Sequence, residues 1–232
     1  NKKSYMVRDR FGIKPFYFNK AQNNFLISSE IKPIINFKKK INISNLAVAD
    51  FFLKGSLDHD KTFFRDIDML DPGSYLVFKN NSIVSYKKYW NLNDRKIYDS
   101  QFKIEKKLKK LFNGSIKKHL ISDRKVGLFL SGGTDSSILG KEISQLNDNK
   151  VDTFTYDFKN SGKFSESDNA KKISHRLNLN NYQTIVNSSY VIKNFKKLIE
   201  TIESPLTSLR LFGVQKNYEL AKNKNYKVII EG

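Results

Sequence analysis

One stretch constrains the fold of this chain more than any other: Val126-Gly127-Leu128-Phe129-Leu130-Ser131-Gly132-Gly133-Thr134-Asp135-Ser136-Ser137-Ile138-Leu139. A short apolar run ends in Ser-Gly-Gly, then come an acid, two hydroxyls and a second apolar segment. That order predicts a buried strand, a tight turn and the start of a helix. Glycine lets a backbone approach an anion closely, and the free amides of a helix start offer it donors. Ser131, Gly132, Gly133, Ser136 and Ser137 are the residue types a pyrophosphate would contact. The chain contains no Gly-x-x-x-x-Gly-Lys-Ser/Thr, so this is not a Walker-type phosphate loop. Taken alone, the same residues also suit a Ser/Gly turn whose Asp135 only caps a helix.

The flanking pattern favours a parallel sheet. Phe102 to Leu120 has helical spacing, with Phe102, Leu108, Leu111, Phe112 and Ile116 on one side and lysines on the other. After the strand Val126–Leu130 a helix runs to about Leu146, followed by a strand at Val151–Phe158 and a loop from Ser161 to Lys163. Ser165-Glu166-Ser167-Asp168 reads as the cap of a helix ending at Leu177. A strand at Tyr182–Val186 and a helix at Tyr190–Ile202 follow, and Glu203-Ser204-Pro205-Leu206 breaks that helix. Leu211–Asn223 is helical again, and Lys227–Ile230 is a strand leading into Glu231-Gly232. Such alternation gives an α/β layer with ligands at the carboxyl ends of the strands. The Ser131 turn lies at one such end and Gly232 at another.

The first ninety residues read differently. Tyr5 to Phe18 is strand, turn, strand about Gly12, and Phe25–Glu30 is a further strand. Ile31 to Ile34 is a turn or helical shoulder. Asn45–Leu53 is a helix capped by Ser44, with Leu46, Ala49, Phe52 and Leu53 forming its apolar face. Asp71-Pro72-Gly73 turns into the strand Ser74–Lys79, and Asn80-Asn81 is a hairpin tip into Ser82–Tyr86. The result is a β-rich half-domain.

Composition narrows the function classes. The absence of cysteine excludes disulfides, thiolate metal sites and a cysteine nucleophile within these 232 residues. No apolar run reaches membrane-spanning length, and no secretion signal is visible, which favours the cytoplasm. Asn1 is not an initiator Met, so the natural N-terminus is expected upstream. A net charge of +19 invites a nucleic-acid reading. The lysines are dispersed, however, with their densest clusters at Lys38-Lys39-Lys40 and Lys106 to Lys110, and no basic-aromatic motif accompanies them. A solvated lysine surface accounts for the charge, and no nucleic acid or membrane is expected as partner. His119 closes a helix, where a cation suits the macrodipole.

Several segments together resemble one family. Arg8-Asp9-Arg10-Phe11-Gly12-Ile13-Lys14-Pro15-Phe16-Tyr17 is similar to the end of the glutaminase domain of glutamine-dependent (class B) asparagine synthetases. Ser28-Ser29-Glu30-Ile31-Lys32, Thr62-Phe63-Phe64-Arg65-Asp66-Ile67, Leu70-Asp71-Pro72-Gly73 and Lys88-Tyr89-Trp90 follow in that family's order. The Ser131–Ser137 loop resembles the pyrophosphate loop of ATP pyrophosphatases. The resemblance implies a two-domain α/β protein. Residues 1–90 would be the C-terminal half of an N-terminal-nucleophile (αββα) glutaminase domain, residues 91–100 a polar linker, and residues 101–232 the N-terminal part of an ATP pyrophosphatase (adenine nucleotide α-hydrolase-like) domain. The family's nucleophile, an N-terminal Cys, has no counterpart here, so a truncated chain that does not itself hydrolyse glutamine is expected.

The same resemblance implies the chemistry. ATP adenylates the side-chain carboxylate of aspartate, pyrophosphate leaves, and ammonia from glutamine displaces AMP to give asparagine. ATP and Mg²⁺ are the implied nucleotide and metal, with Asp135 suited to Mg²⁺ directly or through water. Phe129 matches an adenine contact. Tyr156 matches an adenosine contact through its backbone, and serves equally well as a core aromatic. Glu166 falls near the nucleotide or metal, or else only caps its helix. Glu203 to Leu206 matches a structural turn. Gly232 belongs to a second pyrophosphate-side segment in which Glu231 replaces the family's Ser. The partners are glutamine, aspartate and ATP, with room for a homodimer. The Glu231 substitution keeps open an amidotransferase for another carboxylate, such as one on a surface sugar or small metabolite. A tRNA-modifying ATP pyrophosphatase fits less well, because those enzymes lack the glutaminase half.

Overall fold

The structure is a computed structural model that describes residues 3–20, 25–38, 42–58, 60–80, 82–93, 96–146, 151–160, 162 and 165–232. Lys39 and Lys40, the hairpin tip at Asn81, Asp94 and Arg95 of the linker, and Ser161 and Lys163 lie outside the described residues. The chain divides into two compact units, residues 1–96 and 97–232.

The first unit contains β1 (Ser4–Val7), β2 (Tyr17–Lys20), β3 (Phe25–Ser28), α1 (Ile31–Lys38), α2 (Asn45–Lys54), β4 (Ile67–Met69), β5 (Ser74–Lys79) and β6 (Ser82–Lys88). Two three-stranded antiparallel sheets form, ordered β1-β5-β6 and β3-β2-β4. The strands on either side of Gly12 therefore enter different sheets rather than pairing. Met6, Phe18, Leu70 and Leu76 join both sheets in one core, and the Phe25 and Phe78 rings stack at 4.2 Å. Ile31 and Ile34 pack α1 against Ile67 on the other side of the β3-β2-β4 sheet. Of the turn or helical shoulder expected at Ile31–Ile34, the helical alternative holds, as the first turn of a helix that buries Ile31 and Ile34.

The Arg-Asp-Arg segment has a structural role in this unit. The buried Arg8 guanidinium donates to the carbonyls of Leu70 at 2.5 Å, Gly12 at 3.0 Å and Lys14 at 3.1 Å. The Asp9 carboxylate accepts from the amides of Phe11, Ile13 and Lys14. One side chain satisfies carbonyls and its neighbour satisfies amides, so the turn between the two sheets keeps few unpaired backbone groups.

Ser44 caps α2, as its sequence predicts, accepting from the Ala47 amide at 3.2 Å. The expected apolar face is not the buried one. Leu46, Phe52 and Leu53 are 74%, 82% and 83% exposed, and the helix packs instead through Ala47 and through Phe51 on Phe63. The helix carries two apolar stripes, and the one in contact with Phe63 decides its orientation.

The second unit contains α3 (Gln101–His119), β7 (Val126–Phe129), α4 (Thr134–Leu146), β8 (Asp152–Phe158), α5 (Ser167–Arg176), β9 (Asn181–Val186), α6 (Ser188–Ile202), α7 (Arg210–Asn223) and β10 (Val228–Ile230). The four strands form one parallel sheet ordered β10-β7-β8-β9. Ile116 of α3 and Ile143 of α4 cover Leu128 on one face. Leu198 of α6 and Phe212 of α7 cover Val186 on the other. The N-terminal half of α3 departs from expectation, since Phe102, Leu108 and Leu111 are exposed and only the region around Phe112 and Ile116 is packed. α5 also starts differently. Glu166 at its N-cap is in the right-handed helical region without a side-chain cap bond, and the Ser165 and Ser167 hydroxyls both donate to the Asp157 carboxylate, Ser167 at 2.7 Å. A carboxylate at the end of β8 accepts more strongly than a peptide carbonyl, so it takes the hydroxyls that a capping box would have used.

Candidate functional site

β7 leads into the Ser131–Ser137 turn because Leu128 and Leu130 are buried while the residues after them are polar and small. The Leu130 amide donates to the Phe154 carbonyl at 3.0 Å, and the buried Thr155 hydroxyl donates to the Leu130 carbonyl at 2.6 Å. These two bonds fasten the last residue before the turn to β8. Within the turn the Ser131 and Ser136 hydroxyls lie 3.0 Å apart, the Ser131 amide donates to Ser136 Oγ, and the Gly133 amide donates to Ser131 Oγ. The Ser137 hydroxyl donates to the Gly133 carbonyl at 2.5 Å. Ser137 is also the first amide of α4 bonded back to the turn, to the Gly133 carbonyl at 3.1 Å. The amides of Thr134, Asp135 and Ser136 precede it and have no intrahelical acceptor.

Gly132 requires its residue type. Its φ is +83°, and a Cβ there would stand 2.8 Å from the Ala170 amide and 2.9 Å from Asn169 Cβ. The turn is therefore backed by the first turn of α5. Asp135 stands exposed at the start of α4. It is a single hard oxygen donor beside phosphate-type donors, which fits the way Mg²⁺ is held by one or two carboxylates plus phosphate oxygens. Among the described residues, no three His, Asp or Glu side chains cluster as a self-sufficient metal cage.

Parallel pairing brings the end of β10 next to this turn. β10 lies beside β7, whereas β8 and β9 lie on the opposite side, so the chain reverses its lateral direction between β7 and β10. Open α/β sheets bind ligands at this kind of switch point. A Cβ on Gly232 would be 3.3 Å from the Ser136 amide and 3.0 Å from Leu139. Ser131, Gly132, Gly133, Asp135, Ser136, Ser137 and Gly232 thus gather at one place. An apolar groove of about 550 Å³ adjoins them, between Leu108 and Phe112 of α3 and Ile138 and Leu139 of α4.

Phe129 and Tyr156 lie on the α7 face of the same strand ends. The Phe129 ring meets Tyr218 edge-on at 4.8 Å. Burial, then the charge of Glu231, raises the Tyr218 pKa. Tyr156 packs so closely on α7 that a Cβ on Gly213 would overlap its ring. Its hydroxyl accepts from Arg210 Nε at 3.2 Å, and Arg210 Nη2 is 3.7 Å from the Glu166 carboxylate. Tyr156, and then Glu166, hold the guanidinium pKa above its ordinary value. Tyr218 and Arg210 were not legible as site neighbours, because both sit on α7, far along the chain from the turn. A single polar residue at the start of a helix carries no local signal of what lies across the sheet edge.

Comparison with known proteins assigns both units. The family described as "Asparagine synthase" matches residues 107–232, more than half of the chain. The chain belongs to the asparagine synthase family. The family described as "Glutamine amidotransferase domain" matches residues 1–90. The chain is 29% identical over 253 residues to "Asparagine synthetase [glutamine-hydrolyzing] 2" of Bacillus subtilis, covering 99% of this chain and 33% of the relative. It is 27% identical over 260 residues to the glutamine-hydrolysing asparagine synthetase of Rattus norvegicus, covering 100% of this chain and 42% of the relative. "Asparagine synthetase [glutamine-hydrolyzing] 1" of Bacillus subtilis is 26% identical over 202 residues, covering 87% of this chain and 32% of the relative. The chain therefore spans between about a third and two fifths of the length of the curated relatives it matches. Among the described residues no helix is long and apolar enough to cross a membrane.

Proposed function

We propose that residues 101–232 hold ATP for the adenylation of a carboxylate, and that the reaction served is formation of asparagine from aspartate with glutamine as nitrogen donor. The observation that carries this is the Ser131–Ser137 turn at the switch point, with Gly232 against the Ser136 amide. Its donors are neutral amides and hydroxyls, and no lysine replaces a Walker cation. Such a cradle suits a pyrophosphate that leaves as a unit. The aspartate carboxylate oxygen attacks the α-phosphorus, and the bond to the pyrophosphate oxygen breaks. Ammonia then attacks the β-aspartyl-AMP carbonyl and AMP departs, leaving asparagine.

In this reading Ser131, Gly133, Ser136 and Ser137 and the first amides of α4 receive the pyrophosphate oxygens. Gly132 gives the turn its path, and Gly232 closes the β10 side. Phe129 and Tyr156 flank the adenosine on the α7 face. Asp135 would hold Mg²⁺, which supplies charge neutralisation of the phosphates. Residues 1–90 serve as part of an αββα glutaminase domain, a reading supported by the α1, sheet, sheet layering of the first unit. The cysteine nucleophile of glutaminase chemistry is not among these residues.

The test is ATP–pyrophosphate exchange by the protein carrying these residues. Exchange that requires aspartate, with AMP as the nucleotide product, is the expected result. Release of ADP and phosphate, or exchange indifferent to aspartate, would sink the proposal.

A further inference from the structure

Arg210 occupies a position that stability does not explain. It opens α7, two-thirds of its side chain is exposed, and its only ion pair among the described residues spans 3.7 Å to a half-exposed Glu166. Exposed pairs at such separations contribute little, because water screens them and two long side chains lose freedom. Its second contact is more specific, since Nε is fixed on the Tyr156 hydroxyl at 3.2 Å. Tyr156 is in turn held by the backbone of α7 at Gly213 and by an edge-on contact with Phe158 at 5.9 Å. The guanidinium is thus anchored through Nε, while its Nη groups face a weak partner.

The position of that partner ties the arrangement to the turn. Glu166 ends the loop before α5, and its carbonyl oxygen would be 3.1 Å from a Cβ on Gly132. The carboxylate that meets Arg210 therefore belongs to the residue that backs the turn. Strand register places Tyr156 level with Ser131, because Phe129 pairs with Phe154 two residues earlier on each strand. The cation starts α7, on the sheet face opposite α4, and is held at Tyr156 and Glu166. The turn itself contributes neutral donors and one negative charge, Asp135, so the side facing α7 needs a cation that the turn does not provide.

We infer that Arg210 binds the α-phosphate of the nucleotide, with Tyr156 orienting the guanidinium and Glu166 serving as its counter-ion when the site is empty. The inference rests on the nucleotide reading of the turn. A phosphate offers a guanidinium two short parallel hydrogen bonds, which a carboxylate at 3.7 Å does not. An arginine is suited to this because its fork keeps one nitrogen on tyrosine while presenting two others.

Calorimetric titration of the 232-residue chain with ATP, AMP, inorganic pyrophosphate and adenosine tests it. Arg210→Ala should weaken ATP and AMP roughly tenfold, about 1.4 kcal/mol, and leave adenosine and pyrophosphate within about twofold. Arg210→Lys should recover only part of the loss, since an ammonium cannot hold tyrosine and phosphate together. Glu166→Gln, which removes the competing charge, should tighten AMP. Undiminished ATP and AMP binding in Arg210→Ala, or an equal loss for adenosine, overturns the inference while the nucleotide reading stands. Binding of neither ATP nor pyrophosphate by the unsubstituted chain overturns both.

Discussion

Gly132 is the residue on which the path of the turn depends. Its φ of +83° lies where a side chain is strained, and the start of α5 leaves no room for a Cβ. Gly132→Ala should cost on the order of 1–3 kcal/mol, seen as a lowered unfolding temperature, together with loss of ATP binding; an unshifted temperature would contradict the geometry. Ser136 is the other member whose loss is readable. It is 5% exposed and its hydroxyl meets the Ser131 amide and hydroxyl, so Ser136→Ala removes two hydrogen bonds from the half-buried Ser131. About 0.5–1.5 kcal/mol of destabilisation follows, measured by denaturant unfolding. In the first unit, burial opposes ionisation of Asp9, but the amides of Lys14, Ile13, Phe11 and Gly12 outweigh it and lower its pKa below 3.8. A carboxylate with a depressed folded pKa adds stability that is present above its unfolded value and lost as pH falls through the folded one. Asp9→Asn should therefore flatten the dependence of unfolding temperature on pH below 3.8, whereas an unchanged acid limb would place the effect elsewhere.

At the scale of elements, α5 shows how a local reading meets a tertiary competitor. Ser165 and Ser167 carry the composition of a cap, yet both hydroxyls go to Asp157, eight and ten residues earlier. Asp157→Ala should loosen the start of α5, which also backs Gly132. The expected result is faster hydrogen exchange at the Ala170 amide, which bonds the Glu166 carbonyl at 3.0 Å; unchanged exchange would show that packing alone holds the helix. The same contrast explains what was legible. The strand, turn and helix at Val126 to Leu146 could be read because its apolar run, glycines and hydroxyls act within a few residues of one another. The family segments of both units could be read for the same reason. The outward stripes of α2 and the first half of α3 could not. Helical period reveals an apolar face but not what covers it, and on α2 the contact of Phe51 with Phe63 outcompetes Leu46 and Phe52. The bond between Arg210 and Tyr156 joins residues 54 positions apart and leaves no trace in either local pattern.

At the scale of the molecule, the order β10-β7-β8-β9 does what no single motif can. It sets Gly232 beside a turn a hundred residues earlier in the chain, and so makes one site of two strand ends. The most direct test of the account is hydrogen exchange of the whole chain with and without Mg²⁺ and ATP. Protection should concentrate at residues 131–137 and 228–232, leaving residues 3–93 unchanged. Absence of protection at the turn, or protection centred in the first unit, would contradict the assignment of Ser131 to Ser137 as the pyrophosphate cradle.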